Sequence, residues 1–275
     1  MVNSGNNGKT VIITGANGGI GNAIAKQFLK EGATVILPFR NNRNQIDLLI
    51  KQYGEERVHA YKLDLNDMNQ IIPFVSQVQE KFNRIDALVN NAGITAPAPL
   101  EKVSEEQWDK LLNINLKGPF FLVQQLFPIM KEAGGGSIVN IGSWSGHEPS
   151  PGMGVYSVSK AGLIMMTKLM ALEWAPFNIR VNDVSPGLIR TPISEEFYQN
   201  EEVLNDRTNF VPLHRIGEGK DIATMVTYLC SDQASYITGQ SIVIDGGLIN
   251  SIHAHLAGPP KEQMKKNKQN KNVNV

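Results

Sequence analysis

The chain has 275 residues, 41% of them hydrophobic, with 26 basic and 26 acidic groups and a formal net charge of zero. Five Lys and one Glu fall in residues 261–275, so the rest of the chain is mildly acidic, which argues against a nucleic-acid-binding protein. The length and apolar content suit one large α/β domain, and a single cysteine, Cys230, excludes an internal disulfide and points to a reducing compartment.

Residues 1–8 are Asn/Gly-rich and read as a flexible start with no apolar stretch of signal-peptide length; no apolar run is long enough to span a bilayer, so the expectation is a cytoplasmic protein with no membrane contact. A β-branched run at residues 10–13 leads into Thr14-Gly15-Ala16-Asn17-Gly18-Gly19-Ile20-Gly21 and then the helical pattern Ile24, Ala25, Phe28, Leu29. Strand, glycine turn and helix form the layout of a dinucleotide site. There the backbone approaches a pyrophosphate and the helix N-terminus supplies free N–H groups. A second strand is expected at 33–37, ending at Pro38-Phe39-Arg40. An acid at this point would bind ribose hydroxyls, whereas an arginine accommodates a 2′-phosphate. No Asp or Glu occurs from 33 to 46, while Arg40 and Arg43 do, which favours NADP over NAD. Pro38 is tolerable only at a strand end.

Strands at 57–62 and 85–89 flank a helix at 68–82; Asp64 follows the first strand and Asn90-Asn91-Ala92-Gly93 the second. These are carboxyl ends of strands, where α/β sheets place ligands, although Asp64 could also cap the helix after it. A long helix is expected over 105–130 with Ser104 as its N-cap. It contains the polar cluster Asn113-Ile114-Asn115-Leu116-Lys117-Gly118, and a buried amide requires partners, so Asn115 is a candidate site residue. A strand at 137–141 then delivers Gly142-Ser143.

A helix over 155–174 carries Tyr156-Ser157-Val158-Ser159-Lys160, placing a phenol and an ammonium on one helix face. A free phenol has a pKa of about 10, and a neighbouring cation favours its phenolate, so the pair suits acid/base chemistry near neutral pH. A strand at 178–184 precedes Ser185-Pro186-Gly187, and residues 191–212 resemble a mobile lid over a cleft. A helix at 220–229 and a strand from 241 to Asp245-Gly246-Gly247 close the domain; Cys230 falls in the apolar helical pattern as a structural thiol. Residues 9–250 are expected to form one doubly wound domain, a seven-stranded parallel sheet with helices on both faces. Residues 251–275 form a basic tail expected to be flexible, with His253 and His255 able to reach a neighbouring subunit.

Thr14–Gly21, Asn91-Ala92-Gly93, Asn115, Ser143, Tyr156 with Lys160, Pro186-Gly187 and Asp245-Gly246-Gly247 together resemble the short-chain dehydrogenase/reductase family across residues 8–248. The resemblance implies a Rossmann fold and four catalytic residues. Tyr156 would be the acid/base, Ser143 would bond the substrate oxygen, Lys160 would bind the nicotinamide ribose and acidify the phenol, and Asn115 would hold a relay water. It further implies a cofactor site made of Gly15, Asn17, Gly19, Ile20, Gly21, Arg40, Asp64, Leu65, Asn91, Ala92, Gly93, Pro186, Gly187, Ile189 and Thr191, shared with Tyr156 and Lys160, and no metal. Trp144, Met153, Leu188, Ile193 and Phe197 suggest an apolar substrate wall, with His147 and Glu148 as polar contacts.

The implied activity is hydride transfer between NADPH and a ketone or secondary alcohol in a small-molecule carbonyl reductase. The alternatives are a 3-oxoacyl-thioester reductase, a sugar or polyol dehydrogenase, or a catalytically silent NADP-binding protein. The segments 133–136 and 171–178 lack the Lys or Arg that docking an acidic carrier protein would call for. The helices around 108–130 and 155–174 carry more apolar surface than one sheet contact uses, which, with the resemblance, points to a tetramer or dimer. Two residues depart from the family pattern. Gly18 stands where NADP-preferring members often have a basic residue, and Asp183 is an unusual charge inside a strand.

Overall fold

The computed structural model describes residues 5–192 and 194–251; the expectations for residues 1–4, for Ile193 in the substrate wall and for the tail at 252–275 with its two histidines lie outside the described residues. In chain order the elements are β1 (Thr10–Ile13), α1 (Gly19–Lys30), β2 (Thr34–Phe39), α2 (Asn44–Tyr53), β3 (Val58–Lys62), α3 (Ile71–Lys81), β4 (Ala87–Asn90), α4 (Glu105–Leu112), α5 (Gly118–Glu132), β5 (Gly136–Ile141), α6 (Tyr156–Trp174), β6 (Ile179–Pro186), β7 (Ile189–Arg190), α7 (Glu195–Tyr198), α8 (Glu201–Phe210), β8 (Gly217–Glu218), α9 (Gly219–Cys230) and β9 (Ser241–Ile244). Seven strands form one parallel sheet in the order β3-β2-β1-β4-β5-β6-β9, and β7 pairs with β8 apart from it.

Strand periodicity sorts the core into two layers. In β1, Val11 and Ile13 join one buried cluster and Ile12 the other; in β2, Val35 and Leu37 divide from Ile36, and in β4, Ala87 and Val89 from Leu88. This is the two-residue alternation of a sheet covered on both faces. The first layer is filled by α1 through Ile24, Ala25, Phe28 and Leu29, by α2 through Ile46 and Leu49, and by α9; the second is filled by α3, α5 and α6. In β6 the odd positions Ile179 and Val181 pack in the second layer, so the strand's period carries Asp183 to the side on which α6 lies.

Some elements differ from expectation. Helix α2 has only Ile46 and Leu49 buried in ten residues, too sparse a stripe to be read among polar neighbours. The long helix begins at Ser104 as expected, with a capping box formed with Gln107, but residues 113–117 widen into a π turn between α4 and α5. The lid segment holds two helices, α7 and α8, and the Asn200 side chain caps the second by accepting from the Glu202 and Val203 amides.

Pro38 lies within β2, one residue short of its end. The Thr34 amide bonds Lys9 O and the Val35 amide bonds Arg57 O, so even positions of β2 face β1 and odd positions face β3. The proline nitrogen therefore points towards β1 beyond their last pair, Ile12 with Ile36, where no donor is required. Cys230 is buried, and burial pushes its thiol up to about 12, as befits a packing residue. No helix among the described residues is long and apolar enough to cross a membrane.

Candidate active site

Between β1 and β4 the order of the sheet reverses, and the loops leaving these strands are bound to each other. Thr14 Oγ1 accepts from the Asn91 and Ala92 amides, each at 3.0 Å, and Asn91 Nδ2 donates to Thr14 O (2.9 Å) and Gly15 O (3.1 Å). Gly15 adopts φ +70°, a left-handed conformation that turns the chain back towards α1. A Cβ on Gly21 would collide with Gly15 O and Asn91 Nδ2, so the turn closes only around a glycine there. The first intrahelical bond of α1 runs from Asn22 N to Gly18 O (2.8 Å), and Gly18 offers no side-chain cap. The amides of Gly19, Ile20 and Gly21 thus precede that bond at the positive end of a 12-residue helix. A turn without side chains and a helix start rich in donors fit a pyrophosphate. Thr191 also belongs to this place: a Cβ on Gly19 would touch Thr191 and Pro192.

Other expected cofactor residues take on structural work. Asn17 Oδ1 accepts from the Gln45 amide (2.9 Å), so the glycine turn caps α2 from outside, its own N-cap residue Arg43 making no such bond. The Asn91 side chain braces the turn, leaving its backbone neighbours Ala92 and Gly93 at the crevice. Asp64 Oδ1 accepts from the Asn66 amide in an Asx turn; the cap of the following turn is Asp67. Leu65 packs in the second core layer. Pro186 ends β6, Gly187 is close against Asp245, and Ile189 is buried at the start of β7.

The two arginines after β2 differ. Arg43 is engaged with Asp47 four residues on (2.6 Å) and lies over the Phe39 ring at 5.5 Å. Arg40 is exposed and makes no ion pair among the described residues. Asp47 falls one residue past the acid-free stretch, so the sequence left both arginines looking available.

The catalytic candidates converge at the carboxyl ends of β4 and β5. Tyr156 opens α6; Lys160, one turn on, is buried, donates to Ile141 O (2.7 Å), and lies 5.8 Å from the phenol ring centre. Burial lowers the Lys160 pKa to about 8, against the opposing pull of the Asp183 carboxylate. The phenol moves the other way: burial raises it above its ordinary value, partly offset by a hydrogen bond with Ser143. The expected acidification of Tyr156 by Lys160 is therefore not what dominates here, because desolvating a phenolate outweighs a cation whose nearest bond is to a carbonyl. Ser143 Oγ accepts from the Ser145 amide (3.1 Å), so the one hydrogen it has is offered to the Tyr156 hydroxyl, the place a substrate oxygen would take.

Asn115 sits in the π turn. Its Oδ1 accepts from Ile94 N (2.9 Å), and its Nδ2 donates to Ile94 O (3.0 Å) and Ser159 Oγ (3.1 Å); Ser159 in turn donates to Tyr156 O (2.7 Å). Ser159 is the link that sequence reasoning missed, since a serine on a helix carries no signal of its partner. A Cβ on Gly93 would meet Asn115 Oδ1 at 3.3 Å and Lys160 Nζ at 3.5 Å, so both line the same space.

Of the expected substrate wall, Trp144 adjoins Ser143 in a short 3₁₀ turn, and Met153 O accepts from the Tyr156 amide (3.2 Å). Leu188 O accepts from the Gly217 amide (2.9 Å), and Phe197 is exposed with the Arg207 guanidinium 5.3 Å from its ring. Glu148 is exposed. His147, expected as a substrate contact, instead places Nε2 at 3.2 Å from Ser185 Oγ and 3.0 Å from Ser241 Oγ.

A sequence model of the family described as Enoyl-(acyl carrier protein) reductase matches residues 15–249. The 3-oxoacyl-(acyl-carrier-protein) reductase of Thermotoga maritima is 45% identical over 88% of this chain and 98% of its own length. A short-chain dehydrogenase/reductase of Brucella melitensis, described as glucose/ribitol dehydrogenase, superposes with a TM-score of 0.81 at 33% identity, covering 88% of this chain and 97% of that one. A Beutenbergia cavernae protein described as an NAD(P)-dependent gluconate 5-dehydrogenase, solved with NADP bound at low occupancy, gives 0.82 at 30% identity, covering 89% and 98%.

Proposed function

Because this chain belongs to the short-chain dehydrogenase/reductase family and is an oxidoreductase, we propose that it reduces a carbonyl to a secondary alcohol with NADPH, Tyr156 serving as the proton donor. The observation that carries the reading is the meeting of Tyr156, Ser143, Lys160 and Asn115 in one crevice beside the glycine turn. When bound, a nicotinamide dinucleotide would supply the hydride for the carbonyl carbon. The chain's residues handle the oxygen. Ser143 donates a hydrogen bond to it, and Tyr156, kept protonated by burial, gives up its proton as negative charge develops. Lys160 spends one of its three donors on Ile141 O and has two left for the ribose hydroxyls and the relay. Asn115 uses both amide hydrogens on protein groups, so a relay water would bind to its remaining oxygen lone pair.

The pH dependence follows from Lys160. Reduction needs its ammonium form, so the rate is expected to decline as pH rises through about 8, read from kcat/KM profiles. The preference for NADP rests on Arg40, the cation after β2 without an ion pair among the described residues. Arg40→Ala is expected to weaken NADPH binding by about 10- to 100-fold, the range for one charge-assisted contact, while leaving NADH unchanged. Fluorescence titration with both nucleotides checks this; equal losses for the two would sink the assignment.

The substrate is read as a small carbonyl compound. A second reading, a 3-oxoacyl thioester, is favoured by the Thermotoga relative. NADPH consumption with a free β-keto ester, a sugar ketone and an acyl-carrier-linked 3-oxoacyl chain separates the two; no turnover on any would return the protein to a binding role. The chain is further read as a cytoplasmic homo-oligomer. The outer face of α6 leaves Val158, Met165, Leu169 and Leu172 exposed, and α4 and α5 add Trp108 and Phe120. Light scattering is expected to give a dimer or tetramer at micromolar concentration, and a monomer would contradict it.

A further inference from the structure

Around Asp183 in β6, against Gly142, lies a cluster that the reaction described above does not use. Asp183 is fully buried in β6, and Ser185 Oγ and Ser241 Oγ both donate to its Oδ1, at 2.6 and 2.5 Å. Each serine has one hydrogen, and both are spent on the carboxylate. The bonds from His147 Nε2 to these same oxygens therefore run in one direction only: Nε2 carries a hydrogen and donates it, at 3.0 Å to Ser241 and 3.2 Å to Ser185. His147 is exposed, so an ordered sequence of donors leads from solvent through two hydroxyls to a buried acid.

The other carboxylate oxygen, Oδ2, is buried and has no hydrogen-bond partner among the described residues. It lies against Gly142, where any Cβ would collide with it and with Ser185 Oγ. Gly142 follows Ile141, whose carbonyl holds the Lys160 ammonium, and β5 and β6 pair here as Asn140 with Asp183 and Ile141 with Val184. The buried carboxylate oxygen without a donor, on β6, and the buried Lys160 ammonium, reaching from α6, thus lie against consecutive residues, Gly142 and Ile141, at the end of β5, without a direct ion-pair contact between them among the described residues. Each is costly to bury as a charge without the other.

We infer that Asp183 is the counter-charge of Lys160, and that Ser185, Ser241 and His147 hold it and connect it to solvent, making Asp183 a positioning residue for the cation of the active site. The groups facing it are Lys160 from α6, His147 from the turn after β5, Ser185 from its own strand and Ser241 from β9. Burial raises the acid, and all four of these neighbours favour its charged form. In return its charge keeps Lys160 protonated to higher pH than burial alone would allow.

The inference rests on the proposed role of Lys160 only for its consequence in turnover, and the first test does not need turnover. Asp183→Asn keeps the shape and still offers an oxygen to both serines. In the protein without nucleotide, the Lys160 Nζ titration, followed by lysine-selective NMR and assigned by its loss in Lys160→Gln, is expected to move to lower pH by about one to three units, the span of a removed opposite charge. The alkaline limb of kcat/KM is expected to move with it, with melting temperature monitored alongside. His147→Ala, a surface change, is expected to move the same midpoint in the same direction by less. An unmoved Lys160 midpoint in Asp183→Asn overturns the counter-charge. An unmoved midpoint in His147→Ala overturns the connection to solvent. A uniform loss of activity with the alkaline limb in place makes Asp183 merely structural.

Discussion

Replacing Tyr156 by Phe is expected to lower kcat/KM for carbonyl reduction by about 10²- to 10⁴-fold, the usual worth of a positioned general acid. The ring stays in place at the start of α6 and only the hydroxyl is lost, together with its bond to Ser143. NADPH affinity is expected to be unchanged, because the glycine turn and Lys160 keep their contacts. The measurement is a steady-state comparison of the two proteins alongside nucleotide titration. A variant that keeps more than about a tenth of the rate would remove Tyr156 from the chemistry, since that is below the smallest effect of a general acid.

Gly21→Ala is expected to abolish dinucleotide binding and to destabilise the chain by about 1–3 kcal/mol, the cost of forcing one extra carbon into a closed contact. The added carbon meets Gly15 O and Asn91 Nδ2, which are rigid parts of the turn bound to each other. Relief requires opening the bond between the β1 and β4 loops, and with it the donors at the start of α1. Gly18, three residues earlier, supplies the contrast. Its backbone is extended at φ −92°, and a Cβ there approaches only Gly15 O, at 3.4 Å. Gly18→Ala is expected to keep melting temperature and NADPH affinity close to the parent. Thermal melts and fluorescence titration of both variants decide it; equal behaviour would mean the turn is not built around Gly21.

Much of this site is legible in the sequence. The strand, turn and helix at 10–30 and the phenol and ammonium at 156 and 160 are local patterns, in which backbone sterics and helical period leave little choice. The sheet strands were found within a residue or two for the same reason, apart from β2, which runs past Pro38 because the sheet partner on its nitrogen side has already ended. Helix α2 was not readable, since it buries only Ile46 and Leu49 and takes its cap from Asn17, 28 residues away in the chain. Neither was the loss of Arg43 to Asp47, which depends on α2 existing.

Residue type and spacing were sufficient for the fold class, the dinucleotide crevice and the four residues brought to it, because each follows from interactions between near neighbours. The state of those residues was decided by the tertiary structure. Burial raises the phenol against a hydrogen bond from Ser143, and burial lowers Lys160 against the opposing charge of Asp183, which comes from β6. The same holds for His147, which looked like a substrate contact and reaches two serines on β6 and β9. Charge and hydrogen bonding act through space over distances that strand pairing sets, and the pairing of β5 with β6 and β9 is not written in the spacing of any one segment.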